Sequence, residues 1–240
     1  MTAPVALLVG AAFGMAMGSL LVPITRKQLA ASLLRASVST EHPTSAPAAA
    51  AAIDAAAVDV PPIGRAQWIA LAAASGVIPA FILYRVGWSL IAIPPLLMLV
   101  GLVQLAYCDL TRRLLPKTLV YALGAVVIAS GVTVALAGAD WRRLIHATLG
   151  GLIFFAVLFL INLMNPRWIA YGDVRLALVV GFGLAWVSPM ALVDEFFYAN
   201  LMAAVVGLTM IVLGRAKRGA GLPFGFYLAL AAALVLVIWS

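Results

Sequence analysis

Two carboxylates stand where long apolar runs break. Asp109 lies in YCDLTRRLLPKTLV, residues 107–120, and Asp173 lies in YGDVRLALVVG, residues 171–181. Aspartates brought close together cannot both ionise cheaply, so they share a proton. One then serves as general base toward a water, and the other as general acid toward a carbonyl and its leaving amine. Such a pair titrates as a unit. Residue chemistry leaves other readings open. Asp109 precedes Arg112 and Arg113 and reads equally as a solvated helix end, while Asp173, two residues before Arg175, suits a helix N-terminus. A carboxylate-lined ion or proton path is the third reading. A dyad needs no cofactor. The single cysteine, Cys108, and the widely spaced His42 and His146 offer no metal cluster.

The elements that must position these groups are lipid-facing. Apolar residues make up 65% of the 240 and charged residues 10%, with a mean hydropathy of +1.15. Soluble domains hold roughly 45–50% apolar residues, so this chain cannot clothe itself in polar groups. Eight apolar segments can be drawn: Val5–Val22, Gln67–Tyr84, Val86–Cys108, Lys117–Ala137, Leu144–Leu163, Val174–Val187, Met190–Leu213 and Leu222–Trp239. Most approach the ~20 residues that an α-helix needs to cross a bilayer, and they are too long and uniformly apolar for barrel strands. The expected fold is all-α, a polytopic membrane bundle of about eight transmembrane helices. The short sixth segment is expected to extend back through Ile169 or to cross a thinned region. A net charge of +7 suggests nucleic acid at first, but the basic residues fall in short runs between apolar segments, as membrane topology requires.

Residues 1–23 are expected to form the first transmembrane helix, 24–66 a flexible cytoplasmic linker and 67–240 a membrane-embedded core. The linker's centre, Ser37–Pro62, is rich in Ala, Pro, Ser and Thr. In the first apolar run the basic residues follow rather than precede, which favours an anchor over a signal peptide. With the N-terminus outside, twelve of the fifteen basic residues lie on the cytoplasmic side; Arg85, Arg142 and Arg143 lie outside. Two full crossings separate Asp109 from Asp173, and an even number returns the chain to the same face. Both carboxylates therefore share one side, and the charge bias makes it cytoplasmic.

Other residues carry smaller expectations. Pro116 suits the start of a helix, and Pro94-Pro95 should kink the third segment. Gly172 permits close approach to Asp173. Gln104, Asn162 and Asn200 can hydrogen-bond between helices. Cys108 reads as a small buried residue, and Asp194 and Glu195 fall near the outer face, far from the pair.

Taken in order, three stretches resemble the type IV prepilin leader peptidases. Asp109, Leu115, Pro116, Thr118 and Leu119 are similar to that family's first aspartate motif. Gly172, Asp173, Arg175 and Leu176 are similar to its Gly-x-Gly-Asp motif, and Pro223, Phe224 and Gly225 to its Pro-Phe-Gly segment. The resemblance implies a membrane aspartyl endopeptidase with Asp109 and Asp173 as its catalytic pair. Implied too are prepilin or pseudopilin precursors as partners, no nucleic acid, no cofactor and no metal. The expected location is the inner (cytoplasmic) membrane, with the active site facing the cytoplasm and lipid around it. Departures are Ala170 for the motif's first glycine, Lys117 for an acidic residue and Arg175 for lysine. The loop after the first segment lacks the cysteine pairs of many members, so methyl transfer from S-adenosylmethionine is not carried over. Alternatives are an ion- or proton-conducting membrane protein, or a degenerate member acting as an assembly scaffold.

Overall fold

The computed structural model describes residues 11–12, 15–16, 23–24, 65–86, 89–112, 115–138, 140–165, 169–214 and 224–239. Nearly all of the expected first helix and linker, along with Arg113 and Pro223, lie outside the described residues. Among the described residues from Arg65 onward, seven α-helices follow one another: α1 (Arg65–Val86), α2 (Ile93–Arg112), α3 (Lys117–Gly138), α4 (Trp141–Met164), α5 (Tyr171–Val187), α6 (Ala191–Val212) and α7 (Phe224–Trp239). A 3-10 turn, Leu90–Ala92, precedes α2, and no strand occurs among the described residues. The all-helical class is thus observed, and each apolar segment from the second to the eighth becomes one helix. Among the described residues, four stretches are long and apolar enough to cross a membrane: Leu90–Leu110, α3, α4 and α6. Because α5 and α7 are shorter, length and composition alone do not establish a count of eight.

The centre of the bundle is α5. Its side chains are buried almost continuously from Asp173 to Trp186, as expected of a helix that is apolar on every side. Helices α2, α3, α4, α6 and α7 all contact it. The approach of α4 is closest because glycines face each other. A methyl group on Gly151 would lie 2.8 Å from the Leu178 carbonyl oxygen, and one on Gly181 would lie 2.8 Å from that of Gly150. Small residues let helix backbones touch, and in lipid that contact replaces the hydrophobic drive available in water. Large apolar side chains, in contrast, cover the outside of α6 from Val193 and Phe197 to Leu208 and Val212. An exposed apolar surface of this extent requires lipid.

Two expectations change. Pro94 and Pro95 fall in the first turn of α2, where missing N–H donors cost nothing, so they start that helix instead of kinking it. The 3-10 turn, capped by the Ser89 hydroxyl, leads directly into α2. Nor does α5 extend back through Ile169, which sits in a bend before Ala170; the helix is 17 residues long, about 25 Å at 1.5 Å per residue. Of the three amides, Gln104 bonds across to Ser75 of α1 (3.2 Å) and Asn162 to the Ile169 carbonyl (2.7 Å), whereas Asn200 bonds within its own helix to Phe196.

The two ends of the bundle differ. At the start of α4, Arg143 pairs with Asp140 at 2.6 Å and donates to the Trp186 carbonyl at the C-terminus of α5. This arginine ran against the charge bias; local pairing and a helix C-terminus are what hold it there. At the same end Asp194 accepts from the Trp239 indole at 2.7 Å. If this topology is correct, Trp141→Cys and Met190→Cys, both at exposed positions, react with an impermeant maleimide from one side of the membrane. Lys117→Cys and Ala170→Cys react from the other, all in a Cys108→Ser background. Labelling of all four from one side would contradict the fold.

Candidate active site

Asp109 occupies the last turn of α2 and is 5% exposed. A carboxylate there faces the negative end of its own helix, an unfavourable place. A second helix offsets it: the Phe226 backbone N–H, in the first turn of α7, donates to Asp109 Oδ2 at 2.9 Å. First-turn N–H groups have no partner within their own helix and favour an anion. Asp173 lies in the first turn of α5 and is 3% exposed, so its own helix supplies the favourable dipole. The Ala170 side chain cannot cap, and Asp173 Oδ1 has no hydrogen-bond partner among the described residues.

Gly225 joins the two carboxylates. A Cβ built on it would lie 3.0 Å from Asp109 Oδ2 and 3.0 Å from Asp173 Oδ1. Both oxygens are thus within one small radius of a common point, and their separation is at most twice that distance. As an even number of crossings requires, the two aspartates lie at one end of the bundle. Leu115 then ties the three motifs together. Its side chain packs 3.2 Å from the Cβ site of Gly172 and 3.2 Å from that of Gly225. Pro116, buried, turns the chain into α3, and its carbonyl accepts from Leu119 and Val120. Phe224, partly buried, packs against the core at the start of α7.

Arg175 does not join the pair. Two residues along a helix is about 200° of rotation, so its side chain leaves α5 on the side turned away from Asp173. Its guanidinium lies 4.3 Å from the Tyr171 ring centre and 5.7 Å from that of Tyr121. Asp194 and Glu195 are at the opposite end, as expected, although Glu195 is wholly buried. Among the described residues no group of three or more His, Cys, Asp or Glu is arranged to hold a metal.

Sequence reasoning named Gly225 as part of a motif without seeing that it separates the two carboxylates. It missed the Phe226 amide, the contacts of Leu115, and a groove. This cavity of about 340 Å³ begins beside the pair at Leu110 and Phe226. It runs between α1, α2 and α7 past Ala106 and Ala229 to Leu99 and Ala233. Six residues of α2, from Leu99 to Leu110, line its length, about 16 Å of helix. Its wall is almost wholly apolar and rich in alanine.

A model of the type IV leader peptidase family matches residues 96–240, a range that holds both aspartates and all three motifs. The chain belongs to that family. Among the relatives of this leader peptidase-family chain is a prepilin leader peptidase/N-methyltransferase of Stutzerimonas stutzeri, 29% identical over 171 residues, which covers 70% of this chain and 56% of the relative. Proteins of the same name from Burkholderia pseudomallei and Aeromonas hydrophila are 31% identical over 179 residues and 30% identical over 158. These alignments cover 73% and 64% of this chain, and 55% and 51% of the relatives. The chain thus matches about half the length of these relatives. No solved structure matches it significantly.

The packing around Gly225 can be checked without any activity. Gly225→Ala should cost about 1–3 kcal/mol of stability, the usual penalty for overpacking. Gly138→Ala, whose methyl would meet nothing within 4 Å, should be neutral or slightly stabilising. Thermal unfolding in lipid nanodiscs compares the two, and equal behaviour would contradict the contact.

Proposed function

We propose that this chain is an aspartyl endopeptidase. It removes the basic leader from type IV prepilin or pseudopilin precursors, at the cytoplasmic face of the inner membrane. One observation carries the reading: two buried carboxylates meet around Gly225 at the head of an apolar groove. The names of the relatives supply the substrate class. The excess of basic residues on one side of the expected topology supports the cytoplasmic orientation.

The groove suits the precursor's apolar helix. Ala106, Ala229 and Ala233 allow a helix to approach closely, and the groove leads that helix toward the pair. The leader junction then stands beside Asp109 and Asp173. It must unwind there, because a helical peptide keeps its carbonyls in internal hydrogen bonds. The ionised aspartate takes a proton from a water, whose oxygen bonds to the scissile carbonyl carbon. The protonated aspartate gives its proton to the carbonyl oxygen. When the tetrahedral intermediate collapses, one of its hydroxyls gives a proton to the unprotonated aspartate as the C=O re-forms. The C–N bond breaks, and the amine leaves with the proton of the other aspartate, so the pair is back in its one-proton state. Phe226 N–H holds Asp109 in place throughout. The methyl-transfer part of the relatives' name is not included in the proposal.

Wild-type membranes incubated with a prepilin should yield a shortened product by mass spectrometry. Asp109→Asn and Asp173→Asn should each lower the rate by at least about 10³-fold, as for a member of a catalytic unit. The wild-type rate should be bell-shaped in pH: it falls at low pH when both carboxyls are protonated and at high pH when both are ionised. Full cleavage by either variant contradicts the reading. A proton flux lost in both variants, without any processed peptide, supports conduction instead.

A further inference from the structure

The geometry points to a specific anionic-phospholipid site on the back of α5, in the groove between α3, α4 and α5. There Arg175 takes the phosphodiester and the apolar groove takes an acyl chain. Three observations support this. First, Arg175 has no counter-charge among the described residues, where the ion pair is Arg143–Asp140, and its buried Nε has no acceptor there. The guanidinium is held instead over two aromatic rings, an arrangement that orients a cation without neutralising it.

Second, the surroundings change character with depth. Tyr171 and Tyr121, 46% and 60% exposed, flank Arg175 at the end of the bundle. Tyrosine at such a position suits the headgroup level of a bilayer. From there a cavity of about 290 Å³ runs inward past Ala125, Ile128, Phe155, Leu178 and Val179. Ile128 is two helical turns beyond Tyr121, about 10 Å deeper. A polar mouth over an apolar trough matches a phospholipid, whose phosphate offers oxygens in the fork geometry that arginine prefers.

Third, the access is from lipid. Both α3 and α4 are long and apolar enough to cross a membrane, and both expose apolar side chains, among them Ile128 in the trough and Leu152 and Leu163 on α4. Arg175 leaves α5 on the side away from Asp173, so a peptide bound at the carboxylates does not reach it. This site is independent of the peptidase reading, and either can fail without the other.

The test uses purified full-length chain in neutral detergent. Thermal unfolding is followed while dioleoylphosphatidylglycerol, dioleoylphosphatidylcholine or inorganic phosphate is titrated in. Phosphatidylglycerol is expected to raise the melting temperature saturably, and the other two to leave it unchanged at equal concentration. Arg175→Gln should weaken the effect at least ~10-fold, the loss expected for one or more charge-assisted hydrogen bonds. Ala125→Trp, which fills the trough and leaves Arg175 intact, should weaken it similarly and carries the test if Arg175→Gln does not fold. Equal protection by phosphatidylcholine would overturn the headgroup assignment. Equal protection by inorganic phosphate would reduce the site to a free-anion site and overturn the lipid. Unchanged protection of the folded variants would overturn the location.

Discussion

The arrangement depends on how two buried carboxylates are brought against one another inside an apolar bundle. Each would be costly alone, and the pair adds mutual repulsion. Two helix N-termini offset that cost. Asp173 stands in the first turn of α5, and Asp109 accepts a first-turn N–H of α7. Gly225 completes the contact, since any side chain there would occupy the space that the oxygens share. A structural carboxylate pair would be more cheaply replaced by apolar residues.

The rest of the bundle follows from that requirement. Helix α5 must be buried on all sides to deliver Asp173, and glycine contacts with α4 bring it deep enough. Helix α2 delivers Asp109, then the chain turns through Leu115 and Pro116 so that Leu115 packs beside both glycines. The alanine-lined groove along α2 and α7 begins where the pair sits. At the other end, Arg143–Asp140 and Asp194–Trp239 satisfy polar groups locally. That end also buries Glu195, whose oxygens have no hydrogen-bond partner among the described residues, while the other end holds two acids that face each other.

Much of this was legible in the residues. Segment boundaries from the second to the eighth came out close to the helices, because lipid demands long apolar runs with sharp polar ends. Counting crossings placed Asp109 and Asp173 at the same end of the bundle with no knowledge of packing. What could not be read depended on three-dimensional neighbours. Pro94-Pro95 within an apolar run does not reveal that the α-helix begins at Ile93. The same holds for Arg175, whose place beside Asp173 in sequence suggests a partner, while the helical rotation sends it to two tyrosines. Gly225, Leu115 and the Phe226 amide meet across 117 residues of chain or fewer, and no local pattern signals such a meeting.

Mercury(II) bridging tests the central claim most directly. In a Cys108→Ser background, the chain carrying Asp109→Cys and Asp173→Cys is titrated with the ion in lipid nanodiscs and examined by intact mass. Cysteines that face each other across Gly225 should bind one ion per chain and lose both free thiols together. In a control with Asp109→Cys and Asp194→Cys, at opposite ends of the bundle, each thiol should bind its own ion. If the first pair also binds two ions singly, the carboxylates it replaces do not meet, and the account built on them fails.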